Sequence, residues 1–166
     1  IKNLTIYDVL YTVSNSINNT DTYYAIFIGE NYGVVDNVTL KDSAFSFTKS
    51  VEAFAYDIST CLSPFVAYNA GSISNSKNNV NMTITIGGVN RIWFRNYVGG
   101  ICGKNESKIN DCYSNVEIKI NYIGHSQAYA DENVRFHTYT GGIVGYNSKT
   151  GEVERSNSYL KFSNTR

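Results

Sequence analysis

Asp36, Asp42 and Asp111, or Glu106 and Glu117, are the side chains in this 166-residue chain from which a paired-carboxylate site for cutting glycosidic bonds could be assembled. Their spacing does nothing to separate them from solvated strand and turn residues. His125 lies between Gly124 and Ser126, and His137 follows in the same long segment, with no Ser or Cys nucleophile motif beside either. Cys61, Cys102 and Cys112 make an odd count, without a Cys-x-x-Cys pair or a histidine at zinc spacing. Cys102 and Cys112, in ladder slots held elsewhere by Ile, Val or Ser, read most simply as small core residues, the alternative being a Cys102 to Cys112 bridge across one turn, while Cys61 falls in an inter-repeat segment and has no such slot. The doublets Gly99-Gly100 and Gly141-Gly142 lack the Lys-Ser/Thr pair and the following helix that a phosphate cradle needs. The expectation is therefore no enzyme, no cofactor and no metal.

Binding chemistry is better represented. The stretch Arg91-Ile92-Trp93-Phe94-Arg95-Asn96-Tyr97 concentrates residue types that dominate interface hot spots, and aromatic rings also stack on sugars. Arg91, Trp93, Arg95 and Tyr97 are the candidate binding residues, expected on a lateral loop; the plainer alternative is that Trp93 or Phe94 caps the core beneath that loop. The segments 8 to 24, 48 to 62 and 121 to 140, the last with Tyr122, Tyr129, Phe136 and Tyr139, are further insertions from which specificity could project.

What must position these residues is a repeat. An apolar pair, a small residue, one variable residue and an asparagine recur as AIFIGEN (25 to 31), SPFVAYN (63 to 69), GGICGKN (99 to 105) and GGIVGYN (141 to 147). Each is followed by a short break and a β-branched residue: Val35, Ile73, Ile109 or Val153. A half copy, Ile1-Lys2-Asn3-Leu4-Thr5-Ile6, opens the chain. The asparagines at 31, 69, 105 and 147 are separated by 38, 36 and 42 residues. Self-similarity at such a period indicates stacked units, with length variation confined to turns and loops.

The units are strands rather than helices. Val80, Met82, Ile84 and Ile86 alternate with Asn81, Thr83 and Thr85, and Val116, Ile118 and Ile120 alternate with Glu117, Lys119 and Asn121. An isolated unit would expose its apolar face, so neighbours must stack and pair their strands in parallel. Stacking predicts ladders: Ile101 with Phe27, Phe65 and Ile143; Cys102 with Ile28, Val66 and Val144; and a structural polar ladder of Asn31, Asn69, Asn105 and Asn147. Gly29, Ala67, Gly103 and Gly145 share one slot, where a large side chain is expected not to fit.

GGICGKN…INDCYSNVEI and GGIVGYN…VERSNSYLKF resemble GLUG repeats, found in large bacterial surface proteins that include haemagglutinin-like adhesins and the non-catalytic part of IgA-cleaving metallopeptidases. The likeness is close in the third and fourth copies. In the first two, Ala25-Ile26 and Ser63-Pro64 replace the glycine doublet. The resemblance implies a β-solenoid on a secreted or surface-anchored protein and supplies no catalytic residues.

Composition fits an extracellular module: 14 Tyr, one Pro, one Met, 17% charged residues and a formal net charge of zero. That balance provides no electrostatic reason to expect nucleic acid or an anionic membrane as partner, and no apolar run is long enough to span a bilayer. Asn-x-Ser/Thr sequons begin at Asn3, Asn18, Asn37, Asn81 and Asn105, where composition and the repeat account for them. The expected fold is an all-β, right-handed parallel β-solenoid of about four coils, three-faced, in one domain over 1 to 166. Its repeats fall at about 1 to 24 (partial), 25 to 62, 63 to 98, 99 to 140 and 141 to 166. The expected role is stalk or binding surface of a cell-surface adhesin, for a host glycan or protein. The alternatives are an accessory region of a secreted protease or glycan-active enzyme, or a self-assembling fibre module. Flanking coils of a longer parent chain are the expected cover for the stack's ends, with end-to-end self-association as the other possibility.

Overall fold

The computed structural model describes residues 1–16, 21–51, 55–88, 92–123 and 135–165, and among these there is no helix. The strands are β1 (Lys2–Tyr7), β2 (Leu10–Ser16), β3 (Thr22–Tyr24), β4 (Ile28–Asn31), β5 (Val34–Val51), β6 (Ala55–Leu62), β7 (Val66–Asn69), β8 (Ser72–Ser74) and β9 (Lys77–Gly88). They continue as β10 (Ile92–Gly99), β11 (Cys102–Asn105), β12 (Lys108–Asn110), β13 (Tyr113–Ile123), β14 (Arg135–Gly141), β15 (Val144–Asn147), β16 (Glu152–Glu154) and β17 (Asn157–Thr165).

They form three sheets, and the strand pairs described within them are parallel. Sheet A runs β16-β12-β8-β5-β9-β13-β17 with β1 and β2 also on β5; sheet B runs β14-β10-β6-β3; sheet C runs β15-β11-β7-β4. After β1 and β2 the chain visits B, C and A in that order four times. The ladder expected at Cys102 is present, as is that of the β-branched residues: Cys102 pairs with Val66 and Val144, Ile28 with Val66, and Ile109 with Ile73 and Val153.

Inward side chains of adjacent rounds make one continuous core. Leu40, Phe45, Phe47, Met82, Ile84, Ile86, Val116, Ile118 and Ile120 line sheet A's inner face, while Phe65, Val66, Ile101 and Cys102 come from sheet C and the turn before it. The period-two alternation decides which side chains face inward, because successive strand residues point to opposite faces. Burying such a side chain contributes roughly 1.5–3 kcal/mol.

Sheet A bends at a column of left-handed residues, Asn3, Asn37, Asn75, Asp111 and Arg155, with φ between 43° and 55°. Asn and Asp tolerate this conformation better than other non-glycine residues; Arg155 does not share that advantage. Asp8 and Asp42 (φ 58° and 49°) form a second, shorter column. Asp42 is an extra residue: pairing jumps from Lys41↔Asn79 to Ser43↔Val80, a β-bulge that later rounds lack.

The expected lateral loops are smaller than the sequence suggested. Residues 92 to 99 are strand β10, paired on both sides by β6 and β14, and much of 8 to 24, 48 to 62 and 121 to 140 is also strand. The reason is again alternation: Asn96 and Val98 point into the core while Arg95 and Tyr97 point outward, a strand period that the cluster of large residues obscures. Arg91, His125 and Tyr129 lie outside the described residues, and Trp93 falls on β10.

Candidate functional site

Outward positions of sheets B and C come together where the chain turns from one sheet to the other. In sheet B the aligned residues are Tyr23, Cys61, Tyr97 and Tyr139; in sheet C they are Glu30, Tyr68, Lys104 and Tyr146. Rings meet diagonally, one round apart: Tyr23 and Tyr68 have centroids 5.3 Å apart, and Tyr97 and Tyr146 stack at 4.8 Å. Tyr139 joins the upper group, 5.4 Å from Tyr97, with His137 6.3 Å beyond. Tyr32, from the turn after β4, joins the lower group, 6.1 Å from Tyr68.

The diagonal offset requires the backbones to approach closely. A Cβ on Gly103 would lie 2.7 Å from the Ala67 carbonyl oxygen and 2.8 Å from the Leu62 nitrogen, and one on Gly145 would collide with the Val98 nitrogen. The shared small slot is thus a packing requirement at 103 and 145. At Gly29 the nearest atom to such a Cβ is 3.8 Å away, so a methyl has room there.

A polar group sits within the seam. Tyr68 Oη donates to Glu106 Oε2 at 2.7 Å, Lys104 Nζ lies 2.7 Å from Glu106 Oε1, and the same ammonium is 5.5 Å from the Tyr68 ring centre. Glu106 is held below the usual carboxylate range by the bonds from Lys104 and Tyr68. The Tyr68 phenol is raised, first because its proton is given to that carboxylate and then by burial. Burial alone would lower Lys104, but the Glu106 bond and charge outweigh it and the ammonium is raised. Tyr32 Oη donates to Glu30 Oε2 at 2.7 Å in the same manner. The result is a row of phenols and ring edges, with Tyr139 and Tyr146 about 40% exposed and Tyr97 6% exposed.

Of the four residues proposed for binding, Arg95 and Tyr97 lie on the outward face of β10, Tyr97 buried beneath Tyr139 and Tyr146. The sequence reading missed Tyr23, Tyr68 and Tyr146. A signal existed, since Tyr68 and Tyr146 occupy the variable position of the repeat, immediately before its asparagine.

The carboxylates considered for catalysis are not assembled into pairs. Asp36 accepts from Ser74 and Asn75 at 2.8 Å, with Lys2 3.7 Å away; Asp111 is gripped by Arg155, Nε and Nη2 at 2.7 and 2.8 Å; Glu117 faces Lys161 at 3.1 Å. Each is held below its ordinary pKa: Asp36 by Asn75 first, Asp111 by Arg155 and Glu117 by Lys161. A proton-donating carboxylic acid needs the opposite shift. The cysteines are free and buried, Cys61 pushed up by burial to about 12 and Cys112 to about 11. Among the described residues no group of His, Cys, Asp and Glu could hold a metal ion.

The asparagine ladder is complete. Asn31 donates to Asn69 (2.7 Å), Asn69 to Asn105 (2.7 Å) and Asn105 to Asn147 (2.8 Å), always Nδ2 to Oδ1. Asn105 Oδ1 also accepts the Ser107 backbone N–H, and Asn31 Oδ1 that of Gly33, so each closes its own turn as well as joining the next round.

Comparison with protein-family models finds no match, and comparison with curated proteins and with solved structures finds none either.

Proposed function

We propose that this chain is a right-handed β-solenoid module of the GLUG-repeat kind, belonging to a cell-surface adhesin, which binds a host glycan or protein and carries out no chemistry of its own. The observation that supports binding is the tyrosine seam. Phenols supply large, rigid contact area at low conformational cost together with a hydrogen-bonding tip. The Lys104–Glu106 pair adds polar groups already fixed in position. Parallel crossovers are right-handed in nearly all sheets, which supports the handedness. Three in-register sheets make a stiff support, so the seam's spacing survives when the module is one unit among many.

The test is a binding screen of this chain against glycans and host matrix proteins, beside a Tyr139→Ala, Tyr146→Ala variant and an Arg95→Ala variant. Binding that disappears with the tyrosines while β-type circular dichroism is unchanged supports the reading. Binding indifferent to the tyrosines moves the contact surface elsewhere, and no binding by the parent chain reduces the module to a spacer.

A further inference from the structure

We infer that Tyr97 and Tyr146 form an oxidative cross-linking site, at which a one-electron oxidant joins the two rings through carbon and so secures one round of the stack to the next. The inference concerns what the tyrosine seam does to itself, and it holds whether or not the seam takes a ligand.

The fold brings these rings together across 49 residues of sequence. Tyr97 points outward from β10, which is paired on both sides by β6 and β14; Tyr146 points outward from β15, which is paired with β11. Glycine beside Tyr146 makes the approach possible. A Cβ on Gly145 would stand 2.8 Å from the Tyr97 carbonyl carbon, so β15 can press against β10 at that point only without one.

The outcome is a near-parallel stack, with centroids 4.8 Å apart and ring planes 29° apart. Other pairs in the seam are wider or turned. Tyr97 and Tyr139 are 5.4 Å apart, and Tyr139 meets Tyr146 edge-on at 6.3 Å and 63°. Tyr23 and Tyr68 repeat the diagonal contact in the first two rounds at 5.3 Å and 41°. There the Tyr68 hydroxyl is held by Glu106 and its ring lies under Lys104, which fixes the tilt. Simple aromatic packing is satisfied by any of these arrangements. Face-to-face overlap, which bond formation between ring carbons requires, is best at Tyr97 and Tyr146.

In the coupling each phenol gives up one electron and its hydroxyl proton. The unpaired electron is shared between the oxygen and the ring carbons, including Cε1 and Cε2 beside the hydroxyl-bearing carbon. A bond forms between a Cε of Tyr97 and a Cε of Tyr146. The hydrogen on each of these carbons then leaves as a proton and each oxygen regains one, restoring two phenols. Two C–H bonds break and one C–C bond forms; the two electrons and two protons released pass to hydrogen peroxide, which leaves as two molecules of water. Tyr97 is buried beneath Tyr139 and Tyr146, so it is oxidised by electron transfer from the outer rings. Rings already held in contact couple in a unimolecular step, which outruns the joining of rings on separate chains.

The experiment treats the chain with a haem peroxidase and hydrogen peroxide, records dityrosine emission, separates the products on a denaturing gel and maps linked peptides by mass spectrometry. Emission is expected in the monomer band, with one dominant linked pair, Tyr97 to Tyr146, two hydrogens lighter than its separate peptides. Tyr97→Phe and Tyr146→Phe keep the ring and its packing but lose the hydroxyl, and each should abolish that pair and most of the monomer emission. Tyr139→Phe should leave both in place. In urea the emission should move from the monomer to linked oligomers. The linked chain should melt about 10 °C above the unlinked one, because the bond closes a loop of about 50 residues in the unfolded state. A parent chain without dityrosine in its monomer band, or with monomer emission that survives Tyr146→Phe, overturns the inference. A dominant Tyr97 to Tyr139 link overturns the assignment to the stacked pair, and an unchanged Tm overturns the claim that the bond secures the rounds.

Discussion

Asn69 Nδ2 donates to Asn105 Oδ1 at 2.7 Å, and neither side chain has any exposure to solvent. A buried amide stabilises only while all of its partners are present. Asn105→Ala removes the acceptor of Asn69 and of the Ser107 N–H together, and is expected to cost about 2–4 kcal/mol. Asn147→Ala, at the exposed end of the ladder, should cost less than about 1 kcal/mol. Urea denaturation of both variants checks the contrast; equal losses would show that the ladder contributes through its turns alone.

The small slot should prove unequal along the chain. Gly103→Ala and Gly145→Ala drive a methyl into the backbone of sheet B, and a loss of about 1–3 kcal/mol is expected at each. Gly29→Ala has room for its methyl and should be neutral, or stabilising by about 0.5 kcal/mol. Thermal unfolding of the three variants decides this, and a Gly29 variant as damaged as the others would contradict the packing argument.

Arg155 holds a left-handed backbone, φ 43°, that its neighbours in the column entrust mostly to Asn. Its bidentate bond to Asp111 is largely exposed and screened by solvent, so it contributes little to stability. The conformational relief in Arg155→Asn is of similar size or larger. The variant is therefore expected to equal or exceed the parent by up to about 0.5 kcal/mol in chemical denaturation. A loss well beyond 1 kcal/mol would mean that the ion pair, not the backbone, governs this corner.

Lys49 is 3% exposed on the inner side of β5, where Nζ donates to Thr60 Oγ1 at 2.8 Å. Burial lowers its pKa from 10.5 to about 8. Between those values the unfolded chain binds a proton that the folded chain has released, so this group's contribution makes stability rise with pH across that window. Below pH 8 the folded state carries the full cost of a buried ammonium. Lys49→Met should therefore gain up to about 3 kcal/mol at pH 7, less whatever Thr60 loses with its donor. The gain should shrink by pH 9.5. A gain of the same size at both pH values would rule out the ammonium as its source.

The thiols should be silent in the native protein. With Cys61 near 12, Cys112 near 11 and Cys102 raised by full burial, none should react with an aromatic disulfide reagent at pH 8 until the chain unfolds. One fast equivalent before unfolding would place a cysteine at an accessible surface.

The repeat made the ladders legible because each column requires one residue type at one depth; Cys102 between Val66 and Val144 could be aligned without any structure. The tyrosine seam was not legible. Tyr23, Tyr97 and Tyr139 share a column, but their meeting with Tyr68 and Tyr146 depends on sheet C lying one round ahead of sheet B, an offset that no local spacing encodes. The lateral loops were overestimated for a related reason: Arg95 and Tyr97 are outward strand residues whose bulk resembles an insertion. The left-handed column was hidden by its mixed composition of Asn, Asp and Arg.

Backbone hydrogen bonds in all three sheets run along the stacking direction, so a pull applied between the first and last rounds loads them in tension and not in shear. Such bonds break a few at a time, and the chain should peel one round after another in place of a single cooperative rupture. With Asn69 and Asn105 separated by 36 residues, each step would lengthen the tether by about 120 Å at full extension. A force-extension trace with regularly spaced, low peaks is the mechanical signature of this architecture. Under load between its first and last rounds, such a chain would yield by letting out length in steps, keeping the remaining rounds folded.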